Sequence, residues 1–203
     1  NYFLSFCLGE ANGGYGKGVN VSSPVGSVDA AKVSDSSILY RFNEGSGTTV
    51  CNTGSYANCS ITSGQSWAND SFGTSLYFNN NFVTGLNPPL GRMSDHFSIA
   101  VWVKTSSTDA VTGIASRSSR GNDGWGIRLD TGRPVVALYG PAPHTHVLTF
   151  SPDLRDGVWH HIATVNNRSF SKIYVDGKLM NTDDGYWETM YDPTDIMIGY
   201  DAG

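Results

Sequence analysis

The stretch Leu154 to Met180 reads LRDGVWHHIATVNNRSFSKIYVDGKLM. Two alternating runs, Trp159 to Val165 and Ile173 to Val175, flank the polar connection Asn166-Asn167-Arg168-Ser169. The second run ends in Asp176-Gly177, the dipeptide that closes tight hairpins because both of its residues tolerate positive φ. The reading is two antiparallel strands and a sharp return. Side chains alternate across a strand, so Trp159, His161, Ala163 and Val165 share one face and His160, Ile162 and Thr164 share the other. Neither face is fully polar, and the expectation is cover on both sides. A sandwich of two sheets is the simplest architecture that offers it.

A chain of 203 residues fits one all-β domain, or one domain plus an extension, and is long enough to bury a sizeable core. With 24 glycines, 12% aromatic and only 15% charged residues, the chain has the composition of a protein of many short strands. The formal net charge of −5 is spread along the chain, which argues against nucleic acid and against an anionic membrane surface, since both call for a basic face. No run of about 18 apolar residues is present to span a bilayer, so membrane insertion is not expected.

Cys7, Cys51 and Cys59 make an odd count. Cys51 and Cys59 are near enough to staple the loop between them, which implies an oxidising compartment and leaves Cys7 over; three buried free thiols are the alternative. Four Asn-x-Ser sequons, at Asn20, Asn58, Asn69 and Asn167, support export and glycosylation. The expected location is secreted, extracellular or cell-surface. The opening Asn1 to Leu8 reads as a matured terminus, a remnant of a signal segment or a strand.

Residues 1–37 form an arm or linker: an apolar tip, a glycine-rich run from Gly9 to Gly18, then Ser/Val-rich sequence. The tip is either a disordered terminus or a strand that pairs elsewhere in the fold or in a neighbouring subunit. From Ile38 about a dozen candidate strands follow, among them Ile38 to Phe42, Phe97 to Val103, Trp125 to Leu129, Val135 to Leu138 and Ile196 to Gly199, with turn signals between them. Their spacing assigns residues 38–203 to a β-sandwich.

The ordered motifs LYRFNEGSG (39–47), GTSLYF (73–78), FSIAVWVK (97–104), GIASR (113–117), DGVWHHIA (156–163) and IYVDGKL (173–179) resemble the laminin-G-like jelly rolls of the concanavalin A-like lectin/glucanase superfamily. The resemblance covers roughly residues 38–200. It implies an all-β, two-sheet antiparallel jelly-roll sandwich with ligand-binding loops at its rim or concave face. It also implies a further strand of Ile-Asp-x-Val-x-Ile-Tyr type after Ile196 to Gly199, pairing beside the first strand. The chain ends at Gly203 before such a strand, so either the sequence is a fragment or that edge is filled by something else. An open edge invites another strand, and Tyr2 to Leu8, from this chain or a neighbour, is the expected occupant.

Catalysis is not expected. Glycosidases need two carboxylates set together, and Glu10, Glu44 and Glu188 fall in no Glu-x-Asp-x-x-Glu strand, while Asp183-Asp184 point apart if extended. No Gly-x-Ser-x-Gly elbow is present. His144 and His146 have the spacing of metal ligands on one strand face, but beside Pro143 solvated loop residues are the stronger reading; His160 and His161 cannot reach one ion from an extended strand. No cofactor is required by these residues. Calcium is the ion the resemblance suggests, with Asp123, Asp130, Asp192 and Asp195 as ligands and Asp201 near them.

For a glycan, Tyr186, Trp187 and Tyr191 supply stacking faces, with Asp123 as a rim acceptor; a plug over the core is the other reading of that loop. Two functions follow as expectations. One is a non-enzymatic extracellular recognition or adhesion module binding glycan or protein. The other is a structural subunit of an extracellular filament or surface assembly, self-assembling by strand exchange through residues 1–10.

Overall fold

A computed structural model describes residues 2–10, 37–52, 59–61, 64–70, 73–79, 82–86, 97–118, 124–139, 145–149, 152–167, 169–184 and 195–200. Among them are strands and no helix. The larger sheet runs β15 (Lys178–Asp183), β14 (Phe170–Val175), β13 (Trp159–Asn167), β8 (Phe97–Thr105), β1 (Tyr2–Glu10), β6 (Gly73–Phe78), β5 (Ser66–Asp70), with β2 (Ser37–Tyr40) also paired to β1. The second sheet runs β12 (Thr145–Thr149), β11 (Arg133–Tyr139), β10 (Gly124–Asp130), β9 (Val111–Ser118), β16 (Ile196–Ile198), β7 (Val83–Leu86). A small third sheet joins β3 (Thr49–Cys51) to β4 (Cys59–Ile61). The two main sheets enclose one core, and the all-β sandwich stands as the sequence implies.

The alternation of β8 and β13 builds that core. Phe97, Ile99, Val101, Val103 and Thr105 are buried in turn along β8, and Ile162, Thr164 and Asn166 along β13. The opposing sheet contributes Ile114, Trp125, Ile127, Leu129, Val136 and Leu138. Each such aliphatic side chain removed from water stabilises the fold by about 1.5–3 kcal/mol before entropy is counted.

β13 departs from the expected double cover. Trp159, His161, Ala163 and Val165 are only half-buried, so one face packs on the core and the other forms part of the outer surface of the sheet. The strand also runs on through Asn166 and Asn167, which the sequence reading placed in the connection. Likewise β2 stops at Tyr40 rather than Phe42, because Phe42 takes φ 52° and turns the chain out of the strand; its ring stays buried and stacks on Tyr40 with centroids 6.1 Å apart.

Two hairpins show their turn chemistry. Val175 pairs with Lys178 across Asp176 (φ 51°) and Gly177 (φ 77°), the tight return expected of Asp-Gly. Asp130 pairs with Arg133 across Thr131 (φ 49°) and Gly132 (φ 84°) in the same way. A disulfide joins Cys51 to Cys59, directly opposite each other in the β3–β4 ladder with Cα atoms 4.1 Å apart.

β1 lies inside the larger sheet. It pairs antiparallel with β8 over nine positions from Tyr2↔Thr105 to Glu10↔Phe97, and on its other side with β6 near Tyr2 and with β2 near Gly9. The register sets Leu4, Phe6 and Leu8 opposite Val103, Val101 and Ile99.

Candidate functional site

Ladder pairing between β8, β13 and β14 brings one set of outward-facing residues together. Trp102 is opposite His161, Ala100 opposite Ala163, and Ala163 in turn opposite Tyr174. Directly paired residues in an antiparallel ladder present their side chains to the same side, so these form one patch. The Trp102 and His161 rings meet with centroids 5.0 Å apart at 49°. Two alanines form a low floor beside them, and Tyr174 stands on the far side. Lys104 is opposite Trp159 and Lys172 opposite Val165 on the same surface. The Lys172 ammonium sits 4.6 Å from the Phe170 ring centroid. Leu179, 46% exposed and opposite Tyr174, extends the patch towards the sheet edge.

At one end of the patch, the two histidines adopt different states. His160 is held between carboxylates: its Nδ1 lies 2.8 Å from Asp176 Oδ2 and its Nε2 lies 3.1 Å from Asp156 Oδ1. Burial pulls the His160 pKa down, but the hydrogen bonds to Asp176 and Asp156 outweigh it and the net shift is upward. His161 is shifted downward by burial, against a weaker pull from Asp176. Its ring has no hydrogen-bond partner among the described residues. His160 is therefore scaffold, whereas His161 presents a neutral imidazole with one donor and one acceptor nitrogen.

A second aromatic pair is exposed elsewhere. Phe82, 42% exposed, and Tyr200, 41% exposed, touch with centroids 5.1 Å apart beside the β16–β7 ladder.

Of the residues expected to carry a ligand, the structure describes Asp130 and Asp195. Tyr186, Trp187, Tyr191, Asp123 and Asp192 lie outside the described residues, as do Asp201, His144, Glu188, Asn20 and Asn58. Asp130 is described, and its carboxylate is gripped by Arg128 through Nε at 2.8 Å and Nη2 at 3.3 Å. Asp195 is half-buried before β16. Among the described residues no three His, Cys, Asp or Glu side chains cluster as a metal site. Asn69 is exposed on β5 and accepts a 2.7 Å hydrogen bond from Thr74 Oγ1, and the Asn167 Oδ1 accepts from the Ser169 N–H at 2.7 Å. Among the described residues no helix is long and apolar enough to cross a membrane.

The Trp102–His161–Tyr174 patch was not found from sequence. Its components come from three strands, and the β8–β13 pairing joins residues more than fifty positions apart. A usable signal was present in Ser98-Ala100-Trp102-Lys104, the outward set of a strand whose other set is wholly apolar but for Thr105.

Comparison with known proteins agrees with this architecture. Among solved structures, the binding domain of Paraclostridial Mosquitocidal Protein 1 matches with TM-score 0.64 and 13% identity, over 73% of this chain and 41% of that one. The binding domain of botulinum neurotoxin DC matches in a complex with SialylT (TM-score 0.51, 17% identity, 74% of this chain and 40% of that one). It matches again in a complex with rat synaptotagmin II (TM-score 0.51, 16% identity, 76% and 41%). The chain thus spans less than half the length of each of these structures, and at such identities the likeness concerns the fold. No curated protein matches the chain. The laminin G 3 family model, described as concanavalin A-like lectin/glucanases superfamily, matches residues 79–203, more than half of the sequence. On that match, and on a sandwich that agrees with it, the chain belongs to the laminin G 3 family of the concanavalin A-like superfamily.

Proposed function

We propose that the chain is a non-enzymatic extracellular recognition module that binds glycan or protein. The observation that carries the reading is the half-exposed aromatic surface held on three adjacent strands. Rigid strands fix such side chains at little entropic cost on binding, and aromatic faces suit both sugar rings and protein side chains. The botulinum DC neighbour, which shares the fold, was solved with a glycan and with a protein, which supports both ligand classes. The Cys51–Cys59 disulfide supports an oxidising, extracellular setting. Calcium held by rim carboxylates would be an adjunct to this reading, but Asp130 and Asp195 flank opposite ends of β9 and would not share one ion. The test is a glycan array together with capture of extracellular proteins by the purified chain, with and without calcium. Saturable binding in either arm supports the reading, and none in both overturns it.

A second reading, assembly by strand exchange, is favoured by β1. This strand pairs on both sides inside the sheet and is joined to β2 by residues 11–36. Such a strand is suited to serve a second copy of the chain in place of its own. Native mass spectrometry of two mass-labelled preparations, mixed and mildly warmed, tests it. Mixed dimers support exchange, and persistent monomers contradict it.

A further inference from the structure

We propose that the outer face of the larger sheet, around Trp102, His161 and Tyr174, binds an acidic saccharide, one that carries a carboxylate beside a pyranose ring. The inference rests on the recognition reading above and gives it a place and a ligand class.

Three features of the face converge on that ligand. The first is shape. The paired Ala100 and Ala163 leave a low floor between the Trp102–His161 pair and Tyr174. Successive outward positions on a strand are about 6.6–6.8 Å apart, so a pyranose ring rests on the alanines with a face against the Trp102 indole.

The second is polarity. Neither the His161 ring nor the Tyr174 hydroxyl has a hydrogen-bond partner among the described residues. Their residues are diagonal neighbours on adjacent strands, His161 lying two positions before Ala163, the partner of Tyr174. An imidazole and a phenol each both donate and accept, which matches the hydroxyls of a sugar, whose own groups do the same. A purely apolar partner would leave them unsatisfied, at the cost such groups incur when buried.

The third is charge. On the outward positions of β8, β13 and β14 the charged side chains are Lys104 and Lys172, on a chain of net charge −5. The Asp176 carboxylate, bonded to His160 and to the His161 N–H at 2.8 Å each, lies at the His161 end of the floor, whereas Lys172 lies beyond Ala163 at the other. An anionic group on the ligand is therefore seated towards Lys172 and away from Asp176.

The experiment is calorimetric titration of the intact chain with sialyllactose, oligogalacturonate and hyaluronan tetrasaccharides, and with lactose and cellotetraose as neutral counterparts. At least one acidic saccharide is expected to bind, tenfold or more tighter than its neutral counterpart. Trp102→Ala is expected to weaken it at least tenfold. Lys172→Ala is expected to narrow the acidic-to-neutral ratio several-fold. Tyr174→Phe keeps the ring and the fold while removing one polar tip, and is expected to weaken binding about threefold with unchanged thermal melting. Preference for the neutral saccharides overturns the inference. If saccharides bind and folded Trp102→Ala and Tyr174→Phe bind them equally well, the site is elsewhere and only the recognition reading survives. If the chain binds no saccharide, this inference fails, and the recognition reading then stands or falls with the protein-capture arm.

Discussion

His160 and Asp176 are joined at 2.8 Å between Nδ1 and Oδ2, across the start of β13 and the turn that ends β14. The other Asp176 oxygen accepts the His161 N–H at 2.8 Å, so one carboxylate fixes both histidines. His160 has a raised pKa in the fold, so its contribution is complete below the ordinary value of 6.5 and is lost as pH rises through the folded value above that. With Asp156 and Asp176 half-exposed, water screens the pair and the effect is below about 1 kcal/mol. Thermal melting of the wild type should therefore fall by a few degrees between pH 6.5 and the alkaline side, and His160→Gln should flatten that decline. Equal slopes in the two proteins would show that the His160–Asp176 contact contributes nothing to the pH dependence of stability.

His161 carries the opposite sign. Burial lowers its pKa, so its contribution is present above 6.5 and is lost as pH falls through the folded value. His161→Gln should soften the acid limb of the melting profile and leave the alkaline limb unchanged. The check is the same melting series, extended down to pH 5.

Gly132 and Gly177 occupy equivalent turn positions with φ 84° and 77°, yet differ in what surrounds them. A Cβ at Gly177 meets nothing, whereas one at Gly132 collides with the Asp153 carboxylate and the Arg155 guanidinium. Those two side chains are paired at 2.6 Å, a bond that draws the Asp153 pKa down to about 2. Gly177→Ala should cost about 1 kcal/mol, from backbone conformation alone. Gly132→Ala should cost measurably more, and urea denaturation of the two variants side by side decides it.

Ser171 is wholly buried, and its Oγ has no hydrogen-bond partner among the described residues; the Asn166 Oδ1 opposite it is in the same position. A buried hydroxyl without a partner costs about 1–3 kcal/mol. Ser171→Ala should be neutral or stabilising by up to about 1 kcal/mol, against the usual direction for a core substitution. A loss of more than about 1 kcal/mol would mean that an ordered water bridges these groups.

Much of the fold was legible because its signals are local. Alternation in Phe97 to Val103, the Asp176-Gly177 return and the Cys51–Cys59 staple each depend on neighbours within a few residues, and each stands in the structure. Which face of β13 is covered is not a local property. Trp159 and His161 look like core on periodicity, but β8 and β14 bury the other face, leaving these half-exposed. Phe42 reads as the next apolar position of a strand, and its φ of 52° depends on contacts that the sequence does not reveal. The aromatic patch was illegible for the same reason, since Trp102 and Tyr174 meet His161 and Ala163 only through ladders closed by the whole sandwich.

Equilibrium dialysis of the intact chain against the array's strongest saccharide tests the proposed recognition of a ligand without its transformation. The mass of the recovered saccharide is then measured. A recognition module retains the saccharide and releases it unchanged after prolonged incubation. Cleaved products, or no retention of any saccharide or captured protein, would contradict the proposal.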